Sequence, residues 1–326
     1  MIKRIKSSEL KIGMFIELPH AWRAHPFLTN SFTITSQKQI KKIIEHGIKE
    51  VNINEAKGIA AQEKQPENVL PEKNSPVADV SEALKCAIQD RKMPPETKAH
   101  AVHMHSVNML NNLWQNPTGE NIAEFKKGIV SVVELILSDD ATKQHLLQLT
   151  TYDYNTYIHS VNVGVLAISL AKALFVKDNK HDMHALGAGF FLHDIGKIHI
   201  SEAIINKPAK LTDEEMTIMR KHPGMGFTHL VETKQIDDEC RLIVLQHHER
   251  HDGSGYPKRI RGEEIHTYGR ICSVADVFDA LVSKRPYKAQ LQPFEALKVM
   301  KEEMLDHFHK EIFERFVLLF KRVGRN

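Results

Sequence analysis

Cysteine is scarce in this chain of 326 residues: Cys86, Cys240 and Cys272 are odd in number, far apart and in no C-x-x-C spacing. Neither a disulfide framework nor a zinc ribbon is thereby implied, and a reducing cytosol fits best. Charge of one sign is also in short supply. The net charge of +3 is too small for bulk binding of nucleic acid. Long apolar runs are missing as well. The stretch 161–176 is interrupted by Asn162, Ser169 and Lys172 and falls short of the roughly 18–20 apolar residues a membrane span needs. The first residues, Met-Ile-Lys-Arg-Ile-Lys, lead into Ser-Ser-Glu instead of a hydrophobic signal core. A cytoplasmic protein without a membrane segment is expected.

What the chain does have is histidine. Of its twenty, ten lie between His159 and His251. Within and just beyond that span stand His159, the adjacent pair His193-Asp194, His222, the adjacent pair His247-His248, and Asp276. Imidazoles and carboxylates are the donors that borderline divalent cations prefer, and seven are too many for one tetrahedral ion. A two-metal centre is the natural reading, with iron or manganese favoured and zinc not excluded by spacing. Adjacent residues cannot point the same way along an ideal helix, so each pair suits a site where neighbours serve different ions. A pair of cations roughly 3.5–4 Å apart lowers the pKa of a bridging water and clamps a phosphodiester for in-line displacement.

The organisation is modular. Residues 1–57 read as a small α+β module, with extended stretches at 14–18 and 32–35, a helical pattern over 37–46 closed by Gly47, and a strand at 51–53. Residues 58–80 have the composition of a flexible linker. Over 81–140 a helical connecting segment is predicted, broken at Met93-Pro94-Pro95 and at Gln115-Asn116-Pro117; His100, His103 and His105 there read as a solvated helix face. From 141 to 326 the pattern is helix upon helix, without the alternation of a sheet. His159, Val163, Leu166 and Leu170 share one stripe, which puts the first candidate ligand on an inward face. The fold class is therefore mainly α.

The stretches His193-Asp194-Ile195-Gly196-Lys197 and His247-His248-Glu249-Arg250-His251-Asp252-Gly253-Ser254-Gly255-Tyr256-Pro257, followed by Ser283-Lys284-Arg285-Pro286-Tyr287, resemble in order and spacing the signatures of the HD-GYP family. The resemblance covers about residues 147–320. It implies an all-helical HD-type catalytic domain that hydrolyses a cyclic dinucleotide, chiefly cyclic di-GMP, by attack of a metal-bridged hydroxide, with either linear pGpG or GMP as the end product. Similar short modules often precede such domains. Carried over, the resemblance assigns His159, His193, Asp194, His222, His247, His248 and Asp276 to two metals, with Asp194 bridging. Some family members hold a third ion through a carboxylate one turn before the first His; Asn155 stands there, with Asp153 further back, which favours two ions.

Lys197, four residues after His193 and so on the same face of a regular helix, matches the family's phosphate-contacting Lys. Arg285 and Lys288 match further phosphate contacts. Asp279, three residues after Asp276, would orient a metal ligand or handle the leaving-group proton. Asp194, Lys197 and Asp279 are thus the candidate catalytic residues. The Gly255-Tyr256-Pro257 loop either fixes the end of the helix presenting His247 and His248 or, as in the family, meets the substrate or a cyclase-domain protein. His199, His229 and His251 lack motif support. Alternatives of substrate and class remain: an enzyme preferring cyclic GMP-AMP, and a non-catalytic receptor or scaffold for the dinucleotide. A homodimer through the connecting helices is compatible with the sequence.

Overall fold

The computed structural model describes residues 2–11, 14–18, 31–34, 40–41, 43–44, 48, 50–54, 77–149, 156–176, 178, 180–283 and 290–320. The chain divides into two units, Met1–Leu70 and Pro71–Asn326. The first carries an antiparallel sheet of β1 (Ile2–Lys6), β2 (Phe15–Glu17), β3 (Ser31–Thr33) and β4 (Glu50–Asn54) in the order β1-β4-β2-β3. Leu10, Ile16, Leu18, Ile34, Ile40, Ile43, Val51 and Ile53 form its small core. The first strand escaped the sequence reading because Lys3, Arg4 and Lys6 hide its pattern. As an edge strand it turns such charges to water, and Arg4 pairs with Glu50 at 2.9 Å across to β4. Gly47, most of the helix expected over 37–46, and the expected linker as far as residue 76 lie outside the described residues.

In the second unit the first helix, α1 (Val77–Gln89), begins inside the expected linker. Val77, Val80, Leu84 and Ala87 repeat at helical spacing and are all buried, so the apolar stripe extends beyond the polar linker composition. α2 (Pro95–Gln115) starts with a proline where no backbone donor is needed. α3 (Gly119–Ser138) is capped by the Thr118 hydroxyl, which accepts from the Asn121 amide. The breaks at 90–94 and 116–118 fall where the prolines placed them. α4 (Asp140–Leu149) leads to α5 (Thr156–Leu174).

One continuous core runs from Val77 to Phe316, so the connecting helices and the histidine-rich region share it. α5 is its axis. Every residue from His159 to Ala171 is buried, so the helix is enclosed on all sides and not the one-sided stripe expected. Among the described residues it is the one helix long and apolar enough to cross a membrane, at mean hydropathy 1.4, yet 72% of that stretch is buried within the protein. The remaining helices are α6 (Met183–Phe191), α7 (Glu202–Ile205), α8 (Asp213–Met219), α9 (His222–Thr233), α10 (Asp238–Gln246), α11 (Thr267–Val282), α12 (Pro293–Glu303) and α13 (Lys310–Phe320), of which α6, α11 and α13 pack against α5. At Gly164 a Cβ would overlap the Phe191 ring, so glycine lets α5 and α6 approach closely enough to bring His159 toward His193.

Candidate metal centre

Both adjacent pairs sit just past the end of a helix. His193-Asp194 follows α6 and leads into a 3₁₀ turn at Ile195–His199, and His247-His248 follows α10. His159 comes from α5, His222 opens α9, and Asp276 lies on α11. Tight docking of the 3₁₀ turn onto α9 depends on Gly196, where a Cβ would overlap the His222 carbonyl oxygen and the Gly226 amide nitrogen. Gly196→Ala is therefore expected to cost about 1–3 kcal/mol or more by overpacking and to displace His222. Urea unfolding together with elemental analysis of the purified variant would read both effects.

These elements converge on a buried cage. Asp194, His222, His247 and His248 form one group of donors within 4.8 Å of one another, and His159, His193 and Asp194 form another. Asp194 belongs to both. His247 and His248 fall in the same group, which departs from the expectation that neighbours serve different ions, because the pair has left the helix that was assumed to separate them. Asp276 closes the cage, with Oδ1 3.1 Å from His159 Nε2 and Oδ2 3.3 Å from His248 Nδ1.

The tautomers follow from what lies behind each ring. His193 Nδ1 faces Phe190 O at 2.9 Å, His222 Nδ1 faces Met219 O at 2.8 Å, and His247 Nδ1 faces Val244 O at 2.8 Å. A carbonyl only accepts, so each Nδ1 carries the proton and each Nε2 turns a lone pair inward. His159 differs: its Nδ1 donates to Asp279 Oδ2 at 2.7 Å. Inside the cage, acceptors face acceptors. His193 Nε2 and Asp194 Oδ1 are buried without a hydrogen bond. His222 Nε2 lies 3.2 Å from His247 Nε2 and 3.1 Å from Asp194 Oδ1. Acceptors so crowded repel unless a cation sits between them, so the donor set fits a metal.

Electrostatics agree. Burial pushes the His193, His247 and His248 pKa values down, His248 to about 3, which keeps these rings neutral and ready to ligate. Burial also penalises Asp194 and Asp276 as anions, but cationic and hydrogen-bonding neighbours outweigh it: Lys197 beside Asp194 and His159 beside Asp276 hold both well below the usual range. His159 goes the other way. Burial lowers its pKa, yet the hydrogen bonds and charges of Asp276 and Asp279 win and hold it at about 10.

A pH dependence follows from His159. In the cation-free protein its Nε2 keeps a proton where a cation would bind, so loading must expel that proton. From about pH 7 to 9, below the raised pKa, the apparent metal affinity is expected to rise about tenfold per pH unit. Stability of the cation-free fold runs oppositely. The charged ring stabilises it fully below the ordinary value of 6.5, and that contribution is lost as pH rises toward about 10. Chelator competition and thermal melts across this range check the two signs.

Asp279 was expected to orient a metal ligand or to handle the leaving-group proton, and its surroundings match the first role rather than the second. It is fully buried, and its carboxylate accepts from His159 Nδ1, from Asn162 Nδ2 at 2.9 Å and from Ser283 Oγ at 3.1 Å. With no exposed atom, it serves to position the His159 ring. Lys197 is also placed differently. In a 3₁₀ turn, with about three residues per turn, it faces Asp194 and not His193, and its ammonium forms a short ion pair with Asp194 Oδ2. Asp153 and Asn155, on which the number of ions was argued, lie outside the described residues, as do Arg285 and Lys288.

Above the cage opens a cavity of about 1030 Å³. His159, His222, His248 and Asp276 line its floor, Lys197, Lys207, Lys210 and Arg250 supply cationic groups, and Trp114 and Tyr157 form an aromatic corner with ring centroids 5.2 Å apart. The sequence reading missed Trp114, Gln115 and Tyr157 because they carry no motif. The Gly-Tyr-Pro loop braces the cage: Tyr256 N donates to His248 O at 3.1 Å, and the Tyr256 and His248 rings are 4.6 Å apart. Tyr256 lines the cavity as well. His229 Nε2 faces Pro117 O at 2.9 Å and is structural.

A helical fold that gathers histidines and aspartates from several elements into one buried cage defines the HD class of metal-dependent phosphohydrolases. The HD domain family matches residues 132–312, and a domain of unknown function (DUF3391) matches residues 2–131. The chain belongs to the HD-domain family, in its HD-GYP branch. A cyclic di-GMP phosphodiesterase of Pseudomonas aeruginosa is 33% identical over 99% of this chain and 77% of its own length. The 3'3'-cGAMP-specific phosphodiesterase 2 of Vibrio cholerae is 41% identical over 38% of this chain and 24% of its own length. In fold, the chain is similar to an HDG"Y"P protein from Bdellovibrio bacteriovorus, with a TM-score of 0.63 at 19% identity over 98% of this chain and all of the other.

Proposed function

We propose that this protein is a cytoplasmic phosphodiesterase that opens a cyclic dinucleotide, with cyclic di-GMP as substrate, to linear pGpG and then to GMP. The observation that carries this reading is the double donor group sharing Asp194 at the floor of a cavity with cationic walls. At about 1030 Å³ the cavity reaches the upper end of the roughly 300–1,000 Å³ usual for small-molecule sites, which suits a dinucleotide. Similarity along 99% of the chain to a cyclic di-GMP enzyme favours that substrate over cyclic GMP-AMP, whose related enzyme matches a shorter part.

His159, His193, Asp194, His222, His247, His248 and Asp276 would hold two divalent ions, iron or manganese by their nitrogen and oxygen donors. When bound, such a pair supplies a nucleophilic hydroxide at neutral pH and neutralises phosphate charge. The chain's own contribution is positional. Asp279 fixes the His159 ring, backbone carbonyls fix three more, and burial keeps bulk water from the donors. Lys197, Arg285 and Lys288 hold the phosphates and stabilise charge developing on them. Trp114 and Tyr157 offer faces on which a purine can stack.

The test is anaerobic purification with elemental analysis, followed by chromatography of the products from cyclic di-GMP and cyclic GMP-AMP. Two metals per chain with pGpG from the first substrate support the reading. Faster cleavage of the mixed dinucleotide would move it to that substrate, and tight binding without product would make the protein a receptor.

A further inference from the structure

The cage is tied to a helix outside the HD domain by an unbroken line of hydrogen bonds. His103, on α2, has its Nε2 2.9 Å from Asn162 Oδ1. Asn162 Nδ2 donates to Asp279 Oδ1 at 2.9 Å, and Asp279 Oδ2 accepts from His159 Nδ1 at 2.7 Å. His103 lies within the match to the domain of unknown function, and the other three lie within the HD domain. The face of α2 read from sequence as solvated is, at His103, turned into the protein.

The line has a direction. Asp279 only accepts, so Asn162 must present its amide nitrogen to it, and Asn162 Oδ1 then needs a donor on its other side. Asn162 is fully buried, and His103 is the ring that meets this oxygen. An amide can rotate by half a turn within nearly the same shape. In the rotated state its oxygen would face the Asp279 carboxylate, acceptor against acceptor, which is costly in a buried site. A donor at His103 favours the orientation that serves Asp279.

We infer that His103 is a positioning residue for the metal centre: it locks the Asn162 amide, which fixes the Asp279 carboxylate and through it the ring of the metal ligand His159. This rests on the metal-binding reading above. It assigns a role to the helix that precedes the HD domain: Ser283 and Asn162 steady Asp279 from within the HD domain, and α2 adds the partner that orients the Asn162 amide.

The experiment compares the native protein with His103→Ala and His103→Gln, whose side-chain amide nitrogen occupies about the place of the ring Nε2 and can donate to Asn162. Metal affinity is measured by chelator competition. Loss of an outer partner of a metal-ligating His costs about 10–100-fold, and two steps beyond that partner, behind Asp279 and Asn162, His103→Ala is expected to weaken binding by about 3–10-fold, with His103→Gln restored to near the native value. In parallel, nitrogen-15 NMR of the cation-free protein follows the His159 Nδ1 proton, expected to be protected from exchange in the native and Gln proteins and to exchange faster in the Ala variant. Unchanged affinity and unchanged protection in His103→Ala would overturn the inference. So would equal losses in both variants that track a lowered melting temperature, since that is mere packing. If the native protein takes up no metal, the functional reading fails on its own, and the proton's protection still decides whether His103 orders Asp279.

Discussion

Asp194→Ala is expected to strip the protein of both metal ions and of activity together. Asp194 stands in both donor groups, whereas His159 and His193 belong to one and His222, His247 and His248 to the other. The metals are worth several kcal/mol in the transition state, and at about 1.4 kcal/mol per decade this corresponds to a loss of about a thousandfold or more in turnover. His248→Ala is the informative partner. His248 lines the cavity floor, with its side chain 24% exposed, and removing it leaves the group of His159, His193 and Asp194 complete. That variant should keep about one ion per chain and lose its turnover, so elemental analysis separates the two. An Asp194→Ala protein that retained two ions and the native rate of cyclic di-GMP hydrolysis would sink the shared-carboxylate centre.

How much of this was legible in the chain depends on how local each feature is. The cage was readable because several signals coincide, a His-Asp pair that is weak alone standing with a His-His pair and a Gly-Tyr-Pro stretch in one histidine-rich span, and the structure brings all seven proposed donors to one place. The helical character of 81–138 was readable from prolines and apolar spacing. What stayed hidden was relational. Nothing local marks Asn162 as the partner of Asp279, 117 residues away, or His103 as the partner of Asn162, 59 residues away. The 3₁₀ turn at Ile195–His199 was missed because one turn of either helix reads alike in sequence, yet it decides that Lys197 meets Asp194. β1 was missed because an edge strand with three cations in five residues lacks an apolar signature.

That Lys197 contact makes a prediction of opposite sign on two readouts. In the cation-free protein the ammonium neutralises the most central carboxylate of the cage, and its side chain is only 12% exposed. A cation arriving at Asp194 must compete with it, and the displaced ammonium can then turn to the cavity, which it lines. Lys197→Met keeps the length and removes the charge. Metal affinity is therefore expected to hold or rise, because the competitor is gone, while turnover falls by about 10²–10³-fold, the usual loss for one preorganised donor to developing charge. The cation-free variant should also melt earlier, since losing one partner of a buried pair costs up to about 3–5 kcal/mol. Metal addition should largely rescue that deficit, because the cations replace the missing charge. Loss of metal in Lys197→Met would mean that the ammonium serves the cage as a structural counter-ion, and the phosphate role assigned to it would fall.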